Sequence, residues 1–259
     1  MFKFLRNKLL NKKWLNACLL LGIVLLVAVA SCNPMFKNGA MDMTLASKFD
    51  SAIEDNNTYS AVVGRQGSCS TDNFPDSASV LDRINAYEKK WMSYIDVPVL
   101  SRQNRLFIEG TYATTGLGSR RFFSVNYMQD MSEHINITFG EGLDTGKPVE
   151  GTYPVIINQE NADTYDLVVG ETVSIDKLVD KDGKPVTFTV VGIFEPKDTT
   201  DIYWKETPVD FDKMIFTDQA SFDETVANYG VLTIYYATYN MLDYAYIDHT
   251  NASDIRYYL

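Results

Sequence analysis

The chain is poor in the residues that most often carry chemistry. Among its 259 residues are two histidines, His134 and His249, and three cysteines, Cys18, Cys32 and Cys69. Neither histidine lies in a metal-ligand spacing, and Asp248-His249 reads as a turn at a strand end. Cys18 and Cys32 belong to one apolar segment. Cys69 stands alone in the remainder, which rules out a disulfide framework there and reads as a buried or merely tolerated thiol. A phosphate loop needs four residues between its first glycine and its Gly-Lys pair, whereas Gly142 to Gly146-Lys147 has three and continues into Pro148. Asp180 and Asp182 before Gly183 fail as a calcium loop, because the terminal ligand positions fall on Leu178 and Thr189. No repeat, low-complexity run or second long apolar run is present. Catalytic, cofactor and metal residues are therefore all expected to be none, and the chain reads as a non-enzyme.

Positive charge is scarce beyond the start. Five of the 23 Lys and Arg residues (Lys3, Arg6, Lys8, Lys12 and Lys13) precede residue 34, where there is no acidic residue, leaving 18 cations against 34 carboxylates in the remainder. So acidic a surface excludes the basic patch that nucleic-acid binding requires.

What is present is one uncharged stretch, WLNACLLLGIVLLVAVA, from Trp14 to Ala30, closed by Ser31-Cys32-Asn33-Pro34 and extendable to Met35 and Phe36. A span needs about 20 apolar residues at about 1.5 Å each to cross a hydrocarbon core of about 30 Å. Flanking cations on one side place the N-terminus in the cytoplasm and the main domain outside. Residues 1–13 form a basic segment with Phe2, Leu5 and Leu9 along one helical stripe, suited to the inner-leaflet surface or to service as a plain charged leader. Processing of the segment has three readings: a retained span over 14–36, a signal peptide cut after Ala28-Val29-Ala30, or a lipobox, Val29-Ala30-Ser31-Cys32, that makes Cys32 a lipidated first residue.

Downstream, Met41, Leu45, Phe49 and Ile53 recur every four residues and predict an amphipathic helix over 39–54. A strand at 59–63, a loop at 67–76 and a helix from Ser77 or Ser79 to Ile95 follow. Strands are expected at 97–102, 105–113 and 121–128. From Ile135 a new pattern begins, with INITFG leading into a polar loop to Gly151. Then come a strand at 153–157, a helix at 158–165, a turn feeding a strand at 167–175, and a hairpin at DKDGKP with its return strand at 186–194. A surface loop runs to Pro208, a strand occupies 213–217, a helix 220–229 and a strand 231–239, and a last helix starts at Ser253. The sum is α+β with mostly antiparallel strands. Trp91, Trp204 and the tyrosines of 235–246 read as core and sheet-face aromatics rather than a carbohydrate platform. Three glycosylation tripeptides, at Asn56, Asn136 and Asn251, are of the kind that arise by chance.

The run LNKKWLNACLLLGIVLLVAVASCNPMF with its immediate helix resembles the opening of FtsX/MacB-like ABC transporter permeases. EGLDTGKPVEGTYPVIINQENADTYDLVVGETVSI and then TFTVVGIFEP look like that family's extracytoplasmic core, the match being carried by residues 155–157, 167–175 and 190–194. The resemblance implies a retained first span and a MacB-like core over 37–259, with a porter-like part at about 37–134 and 216–259 and a smaller inserted subdomain at about 135–215. It further implies a separate cytoplasmic ABC ATPase as partner, contact with membrane lipid, and a second permease chain as a further candidate partner. The outer domain would serve substrate sensing or mechanical coupling. Family permeases carry further spans after this domain, so the chain reads as the N-terminal portion of a permease, from a truncated gene or a fragment. The alternative is a surface lipoprotein acylated at Cys32, acting in binding or adhesion.

Overall fold

The structure, a computed structural model, describes residues 13–56, 59–71, 77–116, 118, 120–205, 211–230 and 233–252. The basic stripe of residues 2–12 and the helix expected from Ser253 lie outside these.

Helix α1 runs from Lys13 to Asn56 without a break, passing through Pro34. At 1.5 Å per residue its 44 residues extend about 66 Å. The sequence suggested two elements, a span over 14–36 that includes Pro34 and a separate helix over 39–54. Proline removes the hydrogen bond to the carbonyl of Ala30 and crowds that carbonyl with its ring, yet the helix continues past it. Residues from Leu19 to Phe36 leave their large apolar side chains exposed in the isolated chain, as a lipid-facing surface would. Beyond Lys37 burial returns at Asp42, Leu45, Phe49, Ala52 and Ile53. The expected stripe is present, except that Met41 is exposed and Asp42 takes its place on the packed side.

The remaining elements are β1 (Val62–Ser70), α2 (Ser77–Met92), β2 (Val99–Thr115), β3 (Arg120–Met128), α3 (Met131–His134), β4 (Ile135–Gly140), β5 (Tyr153–Asn158), α4 (Gln159–Tyr165), β6 (Thr172–Val179), β7 (Pro185–Pro196), β8 (Met214–Phe216), α5 (Gln219–Asn228) and β9 (Thr233–Leu242). The strands form a single sheet in the order β1-β9-β2-β3-β8-β5-β7-β4, with β6 bridging β2 and β7. Among the described strands only β3–β8 and β5–β7 are parallel. The α+β, mostly antiparallel reading of the sequence is the fold observed.

Three expected boundaries move, each for a local reason. Gln103-Asn104 read as a break, yet β2 runs straight through it. Both residues are buried, and the Asn104 amide donates to Gln129 Oε1 at 3.0 Å and to Asn85 Oδ1 at 3.3 Å. The glycine at 67 read as loop, but β1 continues to Ser70 because Gly67 leaves room for the neighbouring Tyr236, whose phenol oxygen would lie 2.6 Å from any Cβ there. INITFG, read as the approach to a loop, is strand β4, paired antiparallel with β7.

Two cores result, one on each face of the sheet's β5–β7–β8 region. Val155 and Ile157 of β5 join the larger core, with Val80, Ile84 and Phe222 from α2 and α5. Ile156 points the other way, into a second cluster with Phe194, Phe211, Phe216, Tyr203 and Trp204. Burial on both faces explains why VII and VVGIF are continuous apolar runs rather than alternating ones. The stretch expected as a surface loop to Pro208 instead contributes Tyr203 and Trp204 to that second core, at 1% and 2% exposure.

Candidate functional site

The feature best placed to act is the junction where α1 enters the folded domain. A small third core gathers there: Ala61, Ile95, Val97 and Leu242, with Phe49 of α1, Tyr59, Tyr244 and Ile247 packed around them. The Tyr244 ring stacks on Phe49 with centroids 5.5 Å apart, and its hydroxyl donates to Asp50 Oδ1 at 2.9 Å. The Tyr59 hydroxyl donates to the Leu242 carbonyl at 2.6 Å. Two turns nearer the membrane end, Asp42 Oδ1 accepts the His249 backbone N–H at 2.9 Å and meets His249 Nδ1 at 2.8 Å. The segment after β9 thus grips α1 at residue 42 and, two turns on, at residues 49 and 50.

The turn that presents His249 is built locally. Asp248 Oδ1 accepts the backbone N–H groups of Thr250 and Asn251 at 2.7 and 3.1 Å. The expected turn is there, and Asp248 and His249 do not act as a pair: the carboxylate facing His249 is Asp42, 207 positions away. The His249 backbone N–H, and after it the ring, hold the Asp42 carboxyl below its ordinary range. A carboxylate whose folded pKa is lowered stabilises the fold fully above its unfolded pKa of about 3.9, and that contribution is lost as pH falls through the folded value. Asp42→Asn is therefore expected to lower the melting temperature slightly at pH 7 and to melt like the native chain near pH 2, which thermal scans at the two pH values will check.

The other residues singled out in the sequence have structural placements. Cys32 is exposed on α1, within the apolar run. Cys69 is half-buried against the larger core, and burial pushes its thiol up, away from the nucleophilic form. His134 stacks on Tyr203 at 3.8 Å with Nδ1 2.6 Å from Asp201 Oδ2. Burial drives the Tyr203 phenol well above its ordinary range. Tyr165 is pushed up to about 12 by burial and by its hydrogen bond to Asp212. Trp204 belongs to the second core and Tyr236 packs on the larger one, so these aromatics are core residues as expected. The Asn251 side-chain amide donates to the Tyr246 carbonyl at 2.8 Å. Among the described residues no group of three or more His, Cys, Asp or Glu side chains is placed to hold a metal ion.

The family model of the MacB-like periplasmic core domain matches residues 17–243. The chain belongs to that family. Solved structures that it matches include a domain of a permease protein from Porphyromonas gingivalis, at 10% identity and TM-score 0.34, covering 63% of this chain and 70% of that one. Another is the periplasmic region of MacB from Actinobacillus actinomycetemcomitans, at 12% identity and TM-score 0.35, covering 63% and 66%. No curated protein matches the chain. The MacB-like core is thus preceded, and overlapped, by a helix long and apolar enough to cross a membrane. The family is one of transporter permease components. The grip on α1 was invisible in the sequence, because its partners are distant in the chain and Asp42 lies one residue off the apolar stripe.

Proposed function

We propose that residues 14–36 anchor the chain in the cell membrane with the N-terminus cytoplasmic, and that this is the N-terminal portion of an ABC transporter permease. Its outer domain couples substrate state mechanically to a separate cytoplasmic ATPase. The observation that carries this reading is α1. One unbroken helix joins the apolar segment to the domain and is gripped by side chains from both ends of the domain's chain. A helix so held transmits rotation or tilt of the outer domain to the span beneath it.

Strand placement supports the subdomain division read from the sequence. β1, β9, β2 and β3 lie side by side, and the strands of about 135–215 succeed them along the sheet. We assign the former to the porter-like part and the latter to the inserted subdomain.

The test removes stiffness without disturbing the grip. Asn38→Gly, Ala40→Gly and Met41→Gly, with the native Gly39, create four consecutive glycines between span and junction. At about 1 kcal/mol per glycine the change costs about 3 kcal/mol of local helix stability. The native chain is expected to recover an ABC ATPase from host membranes. The variant should recover it equally while losing most of its influence on ATP hydrolysis, measured in reconstituted vesicles. Failure to recover any ATPase, or equal influence from both chains, would sink the reading.

Cys32 marks the alternative, a surface lipoprotein. The continuity of α1 through this residue favours the retained span. Metabolic labelling with a lipid analogue decides: label on the native chain that disappears in Cys32→Ser would establish the lipoprotein instead.

A further inference from the structure

A cleft of about 520 Å³ opens beside the second core, between α3, the start of α5 and the loop that follows β4. Its floor is apolar: Met131 and Ile156 are buried, and Ile137 and Leu143 are partly buried members of the same cluster. Tyr127, whose ring packs against the larger core, reaches the wall from the opposite face of β3. Among the described residues the charged lining is all acidic: Asp130, Asp144 and Asp218, with no Lys, Arg or His. Asp218 is committed to capping α5, accepting from the Ser221 backbone N–H at 2.9 Å and from its hydroxyl at 2.7 Å. Asp130 and Asp144 are exposed. Asp130 holds φ at 59°, a left-handed backbone in which glycine would sit with less strain. Instead, a carboxylate stands at the cleft's edge. The three carboxylates are not gathered closely enough to hold a metal ion.

We infer that this cleft binds a small amphipathic cation: an apolar body seated on the Met131–Ile156 floor and a delocalised or amine-borne positive charge toward Asp130 and Asp144. The volume lies in the range of small-ligand sites, about 300–1,000 Å³. An apolar floor alone would accept any greasy molecule. The acidic rim selects the positively charged one and repels anions. The acidic surface of the whole outer domain raises the local concentration of such ligands. The inference deepens the transport reading above by naming a ligand class for the outer domain, and it rests on that reading only for its physiological meaning. Binding itself needs no ATPase.

The experiment uses the full chain in phosphatidylcholine nanodiscs, with empty discs subtracted. Rhodamine 6G, a compact cationic dye, is titrated by fluorescence anisotropy, with anionic fluorescein as its counterpart. Saturable rhodamine binding that weakens with added salt is expected, and none for fluorescein. Asp130→Asn combined with Asp144→Asn should weaken binding about tenfold, the scale of two partly screened charges. Ser132→Lys, which adds a like charge at an exposed lining position, should weaken it by a similar factor without touching the core. Unchanged affinity in both variants, equal binding of fluorescein, or no binding above empty discs would overturn the inference. Binding without any ATPase coupling would count against the transport reading alone, and coupling without binding against this inference alone.

Discussion

Trp204→Ala is expected to lower the melting temperature of the detergent-solubilised chain by about 6–20 °C. Truncating a buried tryptophan costs about 3–5 kcal/mol, and each kcal/mol is worth about 2–4 °C in a domain of this size. Trp204 is 2% exposed and meets three rings edge-on or tilted: Tyr203 at 4.8 Å, Phe211 at 5.9 Å and His134 at 6.2 Å. Removing it leaves a hole bordered by rings from α3 and from the segment between β7 and β8, which cannot all close inward together. The Trp204 indole N–H is among the buried polar atoms without a partner in the described residues, so no hydrogen bond goes with the ring and the expected cost is one of packing. Tyr246→Ala is the matched control. That ring is 59% exposed, and the change should fall within about 0.5 kcal/mol. A Trp204→Ala chain melting within a degree or two of native would show that the second core does not hold this end of the sheet.

That tryptophan also shows where sequence reading stops. The stretch KDTTDIYWK has the composition of a surface loop, and the charged part is one: Asp198 Oδ1 accepts the Thr200 N–H and hydroxyl within the turn. Composition says nothing about the two aromatics that end it, because their burial depends on a face of the sheet formed by β5, β7 and β8. Local chemistry was legible throughout. DKDGKP is a turn in which Asp180 Oδ1 accepts the N–H groups of Asp182 and Lys184 and Gly183 takes φ 76°. Asn158 and Asp218 cap the helices that follow them, as their side-chain oxygens suit them to do. The strand order was not legible, and neither were the two histidine–aspartate pairs. His134 and Asp201 are 67 positions apart and Asp42 and His249 are 207 apart, and no periodicity links residues across such distances. The functional reading followed the same divide. Family and anchor came from contiguous motifs, whereas the grip on α1 and the acidic cleft exist only after folding.

Gly192→Ala should be nearly as damaging, although it adds a single methyl group. Gly192 lies in β7 opposite Gly140 of β4. A Cβ at 192 would stand 2.2 Å from the Glu141 carbonyl oxygen, and one at 140 would stand 2.3 Å from the Val191 carbonyl oxygen. Both obstacles are backbone, so no rotamer change relieves them, and β4 must move away. The shift would break the 2.9 Å bond from the Glu141 N–H to the Val191 carbonyl and loosen Ile135 and Phe194 in the second core. Overpacking of a tight core costs about 1–3 kcal/mol where side chains can yield, and the upper end is expected here, a fall of about 6–12 °C. Gly151→Ala separates this steric effect from backbone strain. Gly151 has φ 82° with open space around its would-be Cβ, so alanine there bears only the left-handed penalty of about 1–2 kcal/mol. Gly192 has no such φ, and its whole cost is collision. Limited proteolysis should then cut the Gly192→Ala chain between residues 141 and 150 while sparing both the native chain and Gly151→Ala. Equal protection of all three would mean that β4 tolerates the methyl and that the approach is looser than described. The Val-Gly-Ile-Phe run is informative for the same reason: its apolar residues fill both faces of a buried strand, and its glycine is the one position where the neighbouring backbone leaves no room for a side chain.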